Sequence, residues 1–179
     1  MLSEYIISML LNVAKPLSRY TLKTLFLYFS CAKKLNVSPC FLQSCVEYVD
    51  NFRRKNGAFS NYYHSKENIG ATFDALFILK WIIPSFVPRF ETLDFVSKCY
   101  CGNEGFATNP VNGKVTISSF FDGYFIYMLF GIKREGLKDD IIRYIEKYYE
   151  FFSEKQLFQG IIILKTLLDD NTKIFDLIY

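Results

Sequence analysis

Histidine is almost absent from the sequence, since His64 is the only one among 179 residues. A His-Glu-x-x-His zinc motif, a Ser-His-Asp triad and a phosphate-binding glycine-rich loop are also missing. The 21 lysines and arginines are spread along the chain and leave a net charge of only +3, whereas nucleic-acid binding usually requires a concentrated basic face. We therefore predict no nucleic-acid partner, and we interpret the run Arg53-Arg54-Lys55 as a solvated helix end.

The sequence also has no long uninterrupted apolar run. Its most hydrophobic stretch, 73–87, carries Asp74 and Lys80 and is broken by Pro84, so it falls short of the roughly 18 apolar residues that a spanning helix needs. Near the amino terminus, Glu4 lies where a signal peptide would carry positive charge. These features predict no membrane span, an ordinary first helix and a cytoplasmic protein.

Cysteines are few and odd in number: Cys31, Cys40, Cys45, Cys99 and Cys101. An odd count without an export signal favours reduced thiols over a disulfide framework. One residue separates Cys99 from Cys101, where a zinc knuckle has two. We therefore expect the cysteines to pack as small apolar residues on helix faces, and we predict no metal and no cofactor.

The chain is 51% hydrophobic and 18% aromatic, which is enough apolar material for the core of one domain spanning 1–179. Within it the sequence contains a repeat. A six-residue phrase has a large apolar residue in first place, a polar residue in second, a small residue in third and three apolar residues after it. Its four copies are Leu22-Lys23-Thr24-Leu25-Phe26-Leu27, Phe73-Asp74-Ala75-Leu76-Phe77-Ile78, Phe121-Asp122-Gly123-Tyr124-Phe125-Ile126 and Phe158-Gln159-Gly160-Ile161-Ile162-Ile163.

The segments around the phrases also repeat. Apolar residues at helical spacing precede the later copies, and glycine-bearing loops with left-handed residues are expected to close those helices. The prolines fall between helices or at their starts. The sequence therefore predicts four helical hairpins, built from helices near 3–13, 18–34, 39–55, 67–83, 90–101, 116–131, 137–152 and 154–168.

The small residue in third place lies in the middle of each predicted phrase helix. Glycine there, as at Gly123 and Gly160, costs about 1 kcal/mol relative to alanine. We expect close approach of the two paired helices to offset that cost. Contact with a ligand is the alternative.

The loops and phrases together resemble a known repeat. Asn56-Gly57-Ala58-Phe59 is similar to a Gly-Gly-Phe loop, and Ala71-Thr72-Phe73-Asp74-Ala75-Leu76 is similar to a Thr-Tyr-x-Ala-Leu helix start. Glu104-Gly105-Phe106, followed by Phe121-Asp122-Gly123-Tyr124, is similar to a Glu-Gly-Gly-Phe segment followed by Asp-Gly-Cys-Tyr. Over residues 39–131 the chain therefore resembles the protein prenyltransferase β subunits and the squalene and terpenoid cyclases. The resemblance implies an α/α toroid whose inner helices line a central apolar cavity.

The chain departs from this family at the catalytic positions. Where the transferases hold zinc with the Asp and Cys of Asp-Gly-Cys-Tyr and a later His, Tyr124 stands at the Cys place and no histidine follows His64. The cyclases use an Asp-rich acid motif, and the only match, Asp169-Asp170, is better explained as a solvated helix end. The family ring also has more than four hairpins, so the prediction is an incomplete barrel.

Asp74 and Asp122 occupy equivalent places in the repeat beside large apolar residues. They are expected either to hold neighbouring helix ends by hydrogen bonds or to form paired carboxylates that face a cavity, where one of them would be the acid. Tyr62, His64, Phe121 and Tyr124 are the candidate ligand contacts, although His64 has no visible partner that would make it a base.

The function predicted from these features is a non-catalytic helical-repeat module that binds a protein partner or an apolar, isoprenoid-like ligand. The alternative is an isoprenoid-acting enzyme, either cyclase-like or a transferase completed by another subunit. Apolar flanks at the ends of the array predict self-association.

Overall fold

The computed structural model describes residues 21–34 and 42–168. Seven α-helices lie within those ranges: α1 (Leu22–Lys34), α2 (Leu42–Asp50), α3 (Ile69–Ile82), α4 (Phe90–Cys99), α5 (Ile117–Leu129), α6 (Leu137–Tyr148) and α7 (Glu154–Leu168). Across these ranges the only β structure consists of isolated bridges in loops. The predicted all-α fold is confirmed, whereas closure into a toroid stays a prediction. The first predicted helix, 3–13, lies outside the described residues, as do Cys40 and Asp169-Asp170.

The helices that carry the repeated phrase, α1, α3, α5 and α7, are called the phrase helices, and α2, α4 and α6 the linking helices. The phrase helix α3 packs between α1 and α5, and α5 packs between α3 and α7. Phe26 contacts the Phe73 ring, and Phe29, which lies further along the same helix, contacts Trp81, which lies further along α3 than Phe73. Residues later in one helix therefore meet residues later in the next, and the phrase helices run in the same direction.

The connections within the array repeat as well. In the two connections that the structure describes completely, the linking helix begins eight positions after the preceding phrase helix ends, at Phe90 after Ile82 and at Leu137 after Leu129. The return loops differ, because nineteen positions separate Asp50 from Ile69 and eighteen separate Cys99 from Ile117, but only six separate Tyr148 from Glu154. The shorter third return explains why the last phrase follows its predecessor more closely than the others.

The two long return loops place one phenylalanine each in the core. Phe59 and Phe106 are fully buried, and each belongs to an antiparallel bridge, Phe59 with Arg53 and Phe106 with Tyr100. A hydroxyl from the first turn of the next phrase helix fixes each loop. The Phe59 N–H donates to Thr72 Oγ1 at 3.1 Å, and Ser119 Oγ donates to the Phe106 carbonyl at 2.5 Å. The loops are therefore part of the packed interior.

Helix starts agree with the prediction better than helix ends do. The Asn68 side chain caps α3 by accepting from the Ala71 N–H, and Thr116 forms a reciprocal capping box with Ser119 at the start of α5. The predicted helix 39–55 is too long, because α2 ends at Asp50 and the chain turns into the Arg53–Phe59 bridge. Likewise α6 ends at Tyr148 rather than at 152, and a short 3₁₀ turn follows it.

Three expectations about single residues need correction. Gly57 does have a positive φ of 78°, but it lies in the return loop beyond α2 and does not close the helix. Arg53 is not solvated, since its side chain is 10% exposed, pairs with Asp50 at 2.7 Å and lies over the Phe59 ring. Cys31 and Cys101 are exposed, although Cys45 and Cys99 are buried as predicted.

The close approach predicted at the third place of the phrase occurs at one glycine and not at the other. A Cβ on Gly123 would lie 2.4 Å from the Phe106 ring. The residue that lies close to this glycine is therefore a phenylalanine of the return loop and not a residue of the paired helix. A Cβ on Gly160 would meet only ordinary contacts at 3.9 Å and beyond.

Candidate functional site

The second places of the four phrases form one polar row across the phrase helices: Lys23, Asp74, Asp122 and Gln159. Lys23 Nζ lies 3.1 Å from Asp74 Oδ1 and joins α1 to α3. Ser118 Oγ donates to Gln159 Oε1 at 2.8 Å and joins α5 to α7. The polar row therefore connects neighbouring phrase helices, directly between equivalent places at Lys23 and Asp74 and through Ser118 at Gln159.

Each later member of the polar row reaches the second residue of the preceding phrase helix. Asp74 reaches Lys23 and Gln159 reaches Ser118, and both of those residues offer a side-chain donor. Asp122 reaches Gly70, where a Cβ would stand 3.0 Å from Asp122 Oδ2. Within residues 21–34 and 42–168, Asp122 has no hydrogen bond or ion pair. Asp122 is thus the one acceptor in the polar row that faces a glycine instead of a donor.

The two carboxylates differ in their electrostatic surroundings. Burial raises the pKa of the Asp74 carboxyl to about 6, against the opposing effects of Lys23 and Lys155. Burial, followed by the negative charge of Asp74, raises the pKa of Asp122 to about 8, and the same two lysines oppose it. At neutral pH this pair therefore combines a mainly ionised carboxylate with a mainly protonated one, a pattern found in acid–base sites.

Aromatic rings fill the space beside the polar row. Phe121 and Phe125 lie 4.5 Å apart, Phe73 contacts Phe121 at 6.1 Å, and Phe26 contacts Phe73 at 5.8 Å. Phe121 and Tyr124, two of the candidate ligand contacts, are buried in this packing. In this structure their neighbours are protein side chains.

The other two candidate ligand contacts lie in a different environment. Tyr62 and His64 are exposed in the return loop between α2 and α3. Arg54 holds this loop by donating to the carbonyls of Tyr62, Tyr63 and Ser65 at 2.6 to 3.0 Å. The fold therefore assigns the four candidates to two places, an exposed loop and a buried helix face, and their roles in binding stay predictions.

A surface groove that the sequence analysis missed lies between α4 and the segment that follows α5. Its volume is about 410 Å³. Its lining includes Phe90, Leu93, Tyr127, Ile132, Lys133 and Arg134. Phe90 is 80% exposed at the first position of α4, and the Arg134 guanidinium lies 3.7 Å from the centre of the Tyr100 ring. We call this surface the α4 groove.

A buried polar network below the α4 groove also escaped prediction. Asp140, almost fully buried on α6, accepts hydrogen bonds from the Tyr100 hydroxyl and from Arg143 Nη2, the latter at 2.7 Å. Burial, together with the Asp140 carboxylate, raises the pKa of Tyr100 to about 12. Tyr100 therefore contacts Asp140 through its hydroxyl and the Arg134 guanidinium through its ring.

Two further findings concern metals and membranes. In the part of the chain that the structure describes, no three His, Cys, Asp or Glu side chains lie close enough together to hold a metal ion. Nor does any helix in those ranges have the length and apolar character needed to cross a bilayer.

The fold and the polar row define the class as an all-α protein built from repeated helical hairpins. A comparison with known proteins finds no matching family model, no matching curated protein and no matching solved structure. The likeness to the prenyltransferase β subunits and the cyclases therefore rests on the short motifs quoted above and stays a prediction.

Proposed function

We propose that this chain is a non-catalytic helical-repeat module that binds a protein partner through the α4 groove. The observation that carries the proposal is the combination of an exposed Phe90 with Lys133 and Arg134 around one concavity. An exposed aromatic residue near an arginine is typical of residues that dominate binding at protein interfaces. The fold class and the repeats support the proposal because repeat proteins commonly bind partners along extended surfaces.

Charge indicates the chemistry of the partner. Lys133 and Arg134 are exposed at the edge of the groove, whereas its acidic residue, Asp94, is already paired with Lys98 at 2.6 Å. A segment that carries a large apolar side chain next to Asp or Glu would complement both features. The expected partner is therefore an acidic peptide segment with an apolar anchor.

The test is fluorescence anisotropy with paired labelled peptides that have the same apolar residue, flanked by Asp in one peptide and by Lys in the other. We expect the acidic peptide to bind more tightly, and Phe90→Ser and Arg134→Glu each to abolish its binding. Val111→Ser is the control, because Val111 is equally exposed but lies outside the α4 groove. Equal binding of both peptides, or binding that survives Phe90→Ser, contradicts the proposal. Binding of a prenyl alcohol, measured by titration calorimetry, would instead favour the apolar ligand.

One observation favours a second candidate, an isoprenoid-acting enzyme. Asp122 faces no donor among residues 21–34 and 42–168, and burial raises its pKa to about 8, which are properties of a general acid. In a cyclase-like reaction its O–H bond would break and a C–H bond would form at a substrate double bond. Asp122→Asn should then abolish turnover of an isoprenoid substrate and leave the circular dichroism spectrum unchanged, and full activity in that variant would dismiss this role.

A further inference from the structure

A second surface cavity lies between α4 and the two long return loops, 51–68 and 100–116. Its volume is about 630 Å³. The first of these loops contributes Lys66 and Glu67, α4 contributes Asp94 and Lys98, and the second loop contributes its tip, 109–112. The whole lining therefore belongs to the two middle hairpins. We call this cavity the loop cavity.

Backbone hydrogen bonds tie the two loops together beside the loop cavity. The Thr108 N–H donates to the Lys114 carbonyl at 3.0 Å and closes the base of the tip 109–112. The Thr108 carbonyl accepts from the Ile69 N–H at 2.9 Å, and Ile69 lies two positions after Glu67. The position of Glu67 relative to the tip is therefore set without a ligand, which lowers the cost of ordering the site on binding.

The protein neutralises the charges of the loop cavity only in part. Lys98 Nζ lies 2.6 Å from Asp94 Oδ2, so these two charges pair with each other. Glu67 Oε1 accepts from Asn56 Nδ2 at 2.9 Å, but that donor is a neutral amide. Lys66 is exposed and makes no hydrogen bond or ion pair within residues 21–34 and 42–168. One carboxylate and one ammonium, on adjacent residues, therefore have no charged partner in the described chain.

The rest of the lining adds amide groups and apolar surface. Asn109 Oδ1 accepts from the Val111 N–H at 3.0 Å, which leaves the Asn109 Nδ2 group as a donor. Asn112 is exposed and presents a second side-chain amide. Phe95 and Pro110 contribute apolar surface. A complementary ligand is therefore small, carries charges of both signs and has an apolar group.

We propose that the loop cavity binds a small zwitterion, either a free amino acid or a dipeptide, with an apolar side chain. The ligand ammonium pairs with Glu67, the ligand carboxylate pairs with Lys66, and the apolar side chain contacts Phe95. A lone anion would leave Glu67 without a counter-charge, and a lone cation would leave Lys66 without one. A ligand with both charges complements the site better than either ion does.

The experiment is isothermal titration calorimetry of the full chain with two probes, leucine for free amino acids and leucyl-leucine for dipeptides. Each probe is compared with its amide, which lacks the carboxylate, and with its N-acetyl derivative, which lacks the ammonium. We expect at least one of the two zwitterions to bind. Each derivative of that zwitterion should bind at least about ten-fold more weakly, because one charged hydrogen bond is lost.

Two variants, Lys66→Gln and Glu67→Gln, each remove one charge from the loop cavity. The new amide in Glu67→Gln keeps an oxygen that can accept from Asn56, so we expect unchanged circular dichroism spectra. Lys66→Gln should weaken the zwitterion about ten-fold and leave its amide unaffected, whereas Glu67→Gln should weaken the zwitterion and leave its N-acetyl derivative unaffected. Lys55→Gln is the matched control, because Lys55 is an exposed lysine of the same loop that does not line the cavity.

The proposal is overturned if neither zwitterion binds at millimolar concentrations, or if the derivatives bind as tightly as the zwitterions. An equal loss in Lys55→Gln also overturns it, because net charge rather than the loop cavity would then control binding. Phe90→Ser should bind the zwitterion like the wild type, since Phe90 lines the α4 groove and not the loop cavity. Failure of this proposal is therefore distinguishable from failure of the proposed function.

Discussion

The two middle hairpins, α2–α3 and α4–α5, differ from the last hairpin, α6–α7, mainly in what surrounds the same phrase. In the middle hairpins a long return loop buries Phe59 or Phe106, and the phrase helix is covered on both sides. The last hairpin has a return of only a few residues, and Phe158 and Ile161 are exposed. Burial of the phrase therefore depends on the loop before it and the hairpin after it, and not on the phrase alone.

The largest expected difference between these regions concerns the phenylalanines. Phe106→Ala should lower the free energy of unfolding by about 3–5 kcal/mol, because it empties a fully buried position beneath α5. Phe158→Ala should change it by less than about 0.5 kcal/mol, because that ring is mostly exposed. Urea unfolding at a protein concentration that keeps the chain monomeric measures both values. Similar losses in the two variants would show that the last phrase is as well covered as the third.

The glycines at the third place of the phrase provide a sharper version of the comparison. Gly123→Ala should destabilise the protein by about 2 kcal/mol, because the new methyl group would overlap the Phe106 ring. Gly160→Ala should stabilise it by up to about 1 kcal/mol, because the helix gains a better former and the methyl group meets only ordinary contacts. Thermal melts of the two variants should shift in opposite directions. A stabilising Gly123→Ala would mean that the Phe106 ring can move away at little cost.

The hydroxyl anchor of the return loop is expected to have a smaller effect. Ser119→Ala should cost about 1–2 kcal/mol, because the buried Phe106 carbonyl loses its donor and the Thr116 N–H loses its acceptor. Gln156, which accepts from the Ser153 N–H at the start of α7, is the counterpart in the last hairpin. Because that hydrogen bond is exposed, Gln156→Ala should cost about 0.5 kcal/mol. If urea unfolding gave equal losses of stability for the two variants, the hydrogen bonds at the two helix starts would contribute equally.

The sequence predicts the helices well because local signals mark them. Asn68 and Thr116 cap α3 and α5, and both residue types are common at helix starts. The predicted range 154–168 matches α7. The contact between Lys23 and Asp74 was also accessible, since the two residues hold the same place in successive phrases.

The parts that were missed depend on contacts between distant segments. Arg53 was taken for a solvated residue because a charged residue at a helix end usually is, whereas its burial requires the Phe59 ring of the return loop. The α4 groove combines Phe90 with Ile132 and Arg134 from beyond the next phrase helix. No local pattern brings these residues together, so only the fold could reveal the groove.

The last comparison is between the second places of the third and fourth phrases, and its expected effect depends on pH. The folded protein raises the pKa of Asp122 from 3.8 to about 8, so folding favours the protonated form, and this contribution to stability is lost as pH rises from about 4 to about 8. Asp122→Asn, which cannot ionise, should therefore gain stability relative to the wild type over that interval. We expect about 1 kcal/mol or more, because one pKa unit corresponds to about 1.4 kcal/mol. Urea unfolding of each variant and of the wild type at several pH values measures this gain in the free energy of unfolding. For Gln159→Ala, the control, the difference from the wild type should not change with pH. A difference for Asp122→Asn that does not change with pH would show that Asp122 is already ionised at neutral pH.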